Sequence, residues 1–122
     1  MVYTIEWDVK PKEIDASSNE ENLDEYTITN TYSGEVKQRA SIANGKAISA
    51  KYIETCSAFE IISDYKVTLV INSSITLTGV LNAIVNLDTD LAVTTVTITN
   101  SSGSTANVEW RMWGTVTVTT AS

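Results

Sequence analysis

Apolar and polar residues alternate with a period of two along nearly the whole chain. In "YTIEWDV", Tyr3, Ile5, Trp7 and Val9 share one parity while Thr4, Glu6 and Asp8 share the other, which is the signature of a strand buried on one face. Pro11, the only proline, ends that run because it has no N–H to give to a ladder. From Lys12 to Glu25 the text "KEIDASSNEENLDE" is polar and acidic with isolated apolar residues, and it reads as a long loop or arm. "YTITNTY" from Tyr26 resumes the alternation. In the next run Val36, Gln38, Ala40 and Ile42 share a parity up to Asn44-Gly45, the pair favoured in a two-residue type I′ hairpin turn.

Residues 47–62 fit two templates. Ile48, Tyr52, Cys56, Phe59 and Ile62 form a helical stripe, yet the segment is rich in β-branched and aromatic residues and leads into "YKVTLVI". Strand is the preferred reading, with one short helix as the alternative. Beyond it, "KVTLVIN", "SITLTG", "VLNAIVNL", "AVTTVTITN", "NVEWRMW" and "TVTVTT" read as successive strands broken at "NSS", "TG", "DTD" and "NSSGSTAN", whose residues are turn formers. The 122 residues suit one domain. Roughly eight to ten short strands in it predict an all-β fold, an antiparallel sandwich or barrel of Greek-key or jelly-roll type over 1–122, with the acidic loop or arm at 12–25.

Charge adds an asymmetry. Residues 1–60 hold 17 of the 23 charged side chains, and residues 61–122 hold only Asp64, Lys66, Asp88, Asp90, Glu109 and Arg111. Proteins normally guard exposed strand edges with charge, so "AVTTVTITN" and "TVTVTTAS", which have none, are either covered within the monomer or covered by a neighbouring subunit. A net charge of −7 opposes nucleic acid as a partner. The apolar runs are too short for a membrane helix and the N-terminus lacks the features of a signal peptide, so a soluble chain without membrane contact is expected.

Candidate chemistry is sparse. There is no histidine, and the single Cys56 has neither a disulfide partner nor a base, so it reads as an inert buried thiol. No phosphate loop, dinucleotide fingerprint or CxxC pair is present, no cofactor is implied, and the chain reads as non-enzymatic. Asp88 and Asp90, and the cluster Asp15, Glu20, Glu21, Asp24 and Glu25, have the oxygen chemistry of a calcium site but not its spacing; a β-turn and a solvated loop are the favoured readings. The "NSS" sequons at Asn72 and Asn100 carry little weight, because nothing in the sequence suggests passage through a secretory pathway.

"NVEWRMWG" holds the most informative residues. Val108, Trp110, Met112, Val116 and Val118 share a parity and form the core face, which leaves Trp113 on the polar face with Glu109 and Arg111. Gly114 beside it is a candidate bulge. An exposed Trp113 flanked by Arg111 and Glu109 would suit the anchor of a protein interface, or a flat platform for a sugar or other ligand. A Trp113 packed under a loop or against another layer is the structural alternative.

An acidic chain of this length, rich in Thr, Ser and Asn, with short strands and the C-terminal "TVTITNSSGSTANVEWRMWG" hairpin, resembles small structural proteins of tailed-bacteriophage virions. It is similar to capsid decoration or cement proteins, and less closely to tail-tube and neck subunits. The resemblance implies a non-catalytic virion subunit made in a bacterial cytoplasm. Such a subunit would bind copies of itself or a major capsid or tail protein as a homo-oligomer or on a lattice. It carries over no functional residues. A carbohydrate- or ligand-binding β-sandwich module is the alternative function.

Overall fold

The alternation resolves into twelve strands in a computed structural model that describes residues 2–115 and 118–120. They are β1 (Tyr3–Val9), β2 (Lys12–Ile14), β3 (Glu20–Asn22), β4 (Tyr26–Tyr32), β5 (Gly34–Ile42), β6 (Lys46–Ser49), β7 (Lys51–Ile53), β8 (Thr55–Ile71), β9 (Ile75–Ala92), β10 (Val96–Asn100), β11 (Ala106–Gly114) and β12 (Val118–Thr120). About three quarters of the chain is strand, all pairing is antiparallel, and the described residues contain no helix, so the fold is all-β. The alternative helix within 47–62 does not form: that segment is the end of β6, all of β7 and the start of β8.

The main sheet has the order β5-β11-β8-β10-β6, with β9 along the other side of β8. Its two terminal strands are joined by residues 43–45 alone. β11 and β10 follow one another along the side of β8 away from β9, against residues 56–63 and 67–71, so their outer neighbours β5 and β6 also follow one another along one rim. The sheet curls into a half-barrel. Asn44-Gly45 is a corner between two strands of the same rim and not a hairpin, since β5 and β6 share no ladder. Only Gly45 has positive φ (79°), and Lys46 N–H donates to the Ala43 carbonyl, so the turn follows the type II pattern and the expected type I′ turn is corrected. Twist-matching favours type I′ where two strands continue as a ladder, and β5 and β6 form none with each other.

The concave face carries the core. Val36, Ile42, Ile53, Phe59, Ile61, Val67, Leu69, Ile71, Val96, Ile98, Val108, Trp110 and Met112 are among its buried side chains. Trp110 donates its indole N–H to the Lys51 carbonyl at 3.0 Å, which satisfies its one polar atom. Val116 and the side chain of Val118, also assigned to this face, lie outside the described residues.

Two expected breaks are absent. "TG" and "DTD" lie inside β9, which runs from Ile75 to Ala92 as the partner of β8. Gly79 takes φ 69° where the β8–β9 register shifts, so it makes an irregularity in a continuing strand. "NSS" is a true turn, with positive φ at Asn72 and Ser73. The acidic stretch 12–25 is likewise not an irregular loop. β2 pairs β3 and β1 pairs β4, so residues 3–32 form one long hairpin, interrupted near Pro11, whose outer half is exposed throughout.

Candidate functional site

Strand β11 places Trp113, Arg111 and Glu109 on the convex face, as their parity requires. The ladder sets Trp113 between Glu35 and Ala58, Arg111 between Lys37 and Glu60, and Glu109 between Arg39 and Ile62. Trp113 faces away from the main core yet is only 1 % exposed. Its candidate role as an exposed anchor or ligand platform is therefore corrected. The β1–β4 hairpin lies over it: the Trp7 ring meets the Trp113 ring edge-on at 5.2 Å and 76°, and Tyr32 packs at 5.7 Å with Tyr3 stacked behind it at 5.4 Å. Tyr32, Ala58 and Trp113 thus form a second small core, roofed by Tyr3, Ile5 and Trp7.

Gly114 sets the edge of this second core. A Cβ there would lie 1.7 Å from the Thr55 carbonyl oxygen, and the β8–β11 register shifts between Trp113 and Gly114. The bulge anticipated at Gly114 lies instead on the facing strand, where Ser57 of β8 is the extra residue, and β11 itself stays regular against β5, which leaves Trp113 on its expected face. The Trp113 Nε1 is the one buried side-chain polar atom among the described residues without a hydrogen-bond partner.

Below the covered tryptophan runs a self-compensating ladder of charges. Arg111 donates to Glu60 Oε1 at 2.5 Å and to Glu109 Oε1 at 3.0 Å, Arg39 lies 3.4 Å from the same Glu109 oxygen, and Trp7 Nε1 donates to Glu60 Oε2 at 3.2 Å. The hydrogen bond from Arg111 and the nearby Arg39 hold the Glu109 carboxyl below its ordinary range. Partial burial works against the charged Arg111, but its bonds to Glu109 and Glu60 outweigh it and strengthen its hold on its proton. Each charge is answered by another, so the ladder clamps the hairpin and sheet together and presents no unpaired group for chemistry. Beside it, Arg39, Ser41, Ile62, Asp64, Asn107 and Glu109 border a shallow open depression of about 560 Å³. Asp64 there accepts the backbone and side-chain N–H groups of Asn107, which lower its pKa.

The other candidate residues have structural partners. Cys56 is fully buried and donates to the Ala58 carbonyl, and burial pushes its thiol up to about 12. Asn100 is fully buried and donates to the Ile42 and Ser104 carbonyls, which ties the corner at 43–45 to the loop before β11. Asn72 bonds Ala92 O and Thr94 N, so neither sequon offers a free amide. Asp15 accepts the N–H groups of Ser17 and Asn19 and closes the hairpin tip, and Asp90 accepts from the Ser57 hydroxyl. No group of three or more acidic or thiol side chains among the described residues is arranged to hold a metal.

A different feature remains open. β10 is covered on both sides by β8 and β6, and β12 pairs β7, so the uncharged "VTITN" run is internal. The uncovered strand is β9, which pairs only β8 among the described residues. Residues 67–87 contain no charged side chain and no proline, so thirteen successive residues of this edge, 75–87, lack both of those guards, and the one irregularity, at Gly79, leaves 80–87 without any. The rim away from β9 is guarded: β5 carries Glu35, Lys37 and Arg39, and β6 is four residues long. Ile75, Leu81 and Ile84 on β9 and Ile62 beside it are 39–40 % exposed. Leu77, Ala83, Val85 and Leu91 reach the core from β9 but are only partly buried. The alternation reads β9 as two short strands, "SITLTG" and "VLNAIVNL", and so misses the edge; the signal is the uncharged run from Val67 to Leu87. Comparison with protein-family models, with curated proteins and with solved structures finds no match to this chain.

Proposed function

We propose that this chain is a non-catalytic assembly subunit that works through protein–protein contacts, and that its concrete setting is a virus particle. There it would serve as a capsid decoration or cement protein or, as the alternative, as a tail-tube or neck subunit, made in the host's cytoplasm and carried in the virion. The observation that carries the assembly reading is the β9 edge. A row of unpaired backbone N–H and C=O groups, unguarded by charge and flanked by half-exposed apolar side chains, is the arrangement that pairs with another strand. The virion setting rests on the resemblance in composition and strand pattern alone. The ligand-module reading has lost its aromatic platform, because Trp113 and Trp110 are buried and Trp7 is turned onto Trp113.

The test is the solution mass by light scattering across a hundredfold range of concentration. The expected result is a mass that rises above one protomer with concentration. Ile84→Lys, which adds a charge on the exposed face of the edge, is expected to return it to one protomer while leaving the circular dichroism unchanged. A single-protomer mass for the parent at every concentration overturns self-assembly as the working mode.

A further inference from the structure

Residues 81–87 of β9 read Leu-Asn-Ala-Ile-Val-Asn-Leu, which is close to a palindrome about Ile84. In an antiparallel ladder between identical strands related by a two-fold axis, residue i faces residue j with a constant sum. A palindrome is therefore the one sequence pattern that sets like against like along the whole pairing. We propose, building on the assembly reading above, that β9 pairs with β9 of a second copy of this chain across a two-fold axis at Ile84. The two half-barrel sheets then become one continuous sheet.

The register follows from the axis. Ile84 faces its own copy, Asn82 faces Asn86, Ala83 faces Val85 and Leu81 faces Leu87, so apolar side chains meet apolar ones and the amides meet each other. The stretch is suited to a straight ladder, because the β8–β9 register is unbroken from Asn82 to Asn86 and the irregularity at Gly79 lies outside it. Asn82, Ile84 and Asn86 lie on the convex face and are exposed, while Ala83 and Val85 share the core-facing side and are only half-buried, so both faces gain cover.

Charge selects this occupant and this direction. The protomer carries a net charge of −7, and residues 67–87 are where two copies can approach without setting one charged side chain against another. The only charges of β9, Asp88 and Asp90, fall opposite the uncharged Val80 and Thr78 of the copy in the antiparallel register. A parallel, in-register pairing would instead set each aspartate beside its own copy, which is destabilising.

Single cysteines on β9 test the axis, against a background in which Cys56 is buried and unreactive. Directly opposed residues in an antiparallel pair have Cα atoms about 4.5–5.5 Å apart, within disulfide range, whereas residues displaced by two or more positions exceed the limit of about 7 Å. Under mild oxidation, Ile84→Cys is expected to give a disulfide-linked dimer, and Asn82→Cys and Asn86→Cys each alone to give none. An equimolar mixture of Asn82→Cys and Asn86→Cys, which retains Ile84, is expected to give the mixed dimer. Equal cross-linking by all three variants alone overturns the register. No cross-linking, in a parent protein whose mass still rises and which Ile84→Lys still dissociates, overturns the two-fold pairing while the assembly reading stands. A parent mass that never exceeds one protomer overturns both.

Discussion

Trp113 shows how a single residue can change role without changing direction. Its parity correctly aims it away from the main core, and the roof of Trp7, Tyr3 and Tyr32 turns that outward side chain into a buried one. Trp113→Ala is expected to lower unfolding stability by about 3–5 kcal/mol through the cavity it opens. Trp113→Phe removes the unpartnered indole N–H together with part of the ring, so its loss should be well below that of alanine in the same urea titration. Two titrating groups set an alkaline limit. Burial raises Cys56 from an ordinary 9.0 to about 12, and burial with the Glu35 carboxylate nearby raises Tyr32 from 10.0 to about 12. The folded protein thus keeps protons that the unfolded chain gives up above about pH 9. Stability is expected to be level below that pH and to fall as the pH climbs toward 12, which urea midpoints would record. Tyr32→Phe should remove part of that decline, and an unchanged slope would show that Tyr32 titrates as it does in the unfolded chain.

At the scale of elements, the N-terminal hairpin is two structures in series. Its inner half, β1 with β4, roofs Trp113, and Trp7 links it to the charge ladder through Glu60. Its outer half, β2 with β3, buries no side chain and is held by its own ladder and by Asp15 at the tip. Replacing residues 11–24 with Asn-Gly, which closes β1 onto β4 directly, is therefore expected to change stability by only about 0.5 kcal/mol. A loss of several kcal/mol in thermal or urea unfolding would show that the tip packs on the body. That 12–25 would be solvated was legible from its composition. That it would still be strand was not, because β2 and β3 are three residues long and each satisfies its backbone on the other without needing an apolar face. "TG" and "DTD" failed differently: residues that form turns in isolation are carried through by the unbroken partnership of β9 with β8.

For the whole molecule, association works against net charge. Two protomers of −7 repel over a Debye length that falls from about 30 Å at 0.01 M salt to about 8 Å at 0.15 M. The oligomer population at fixed protein concentration is therefore expected to rise with salt over that range, measured by sedimentation velocity. A fall with salt would mean that ion pairs and not the uncharged β9 edge join the subunits.

Strand content, the inward and outward parity of β1, β5 and β11, the burial of Cys56 and the acidic, exposed character of 12–25 follow from the sequence. Each depends on side chains two residues apart or on local composition, and these are fixed by covalent geometry and transfer free energy. Which edges are open, and what covers Trp113, depended on pairing between distant segments. Residues 43–45 look like a hairpin turn but join two strands that share no ladder, and the uncharged β10 is internal while the uncharged β9 is not. A strand carries no mark of how many neighbours it has, because its backbone offers the same N–H and C=O groups on both sides. Only the order of strands in the folded sheet decides which of them are left for a partner.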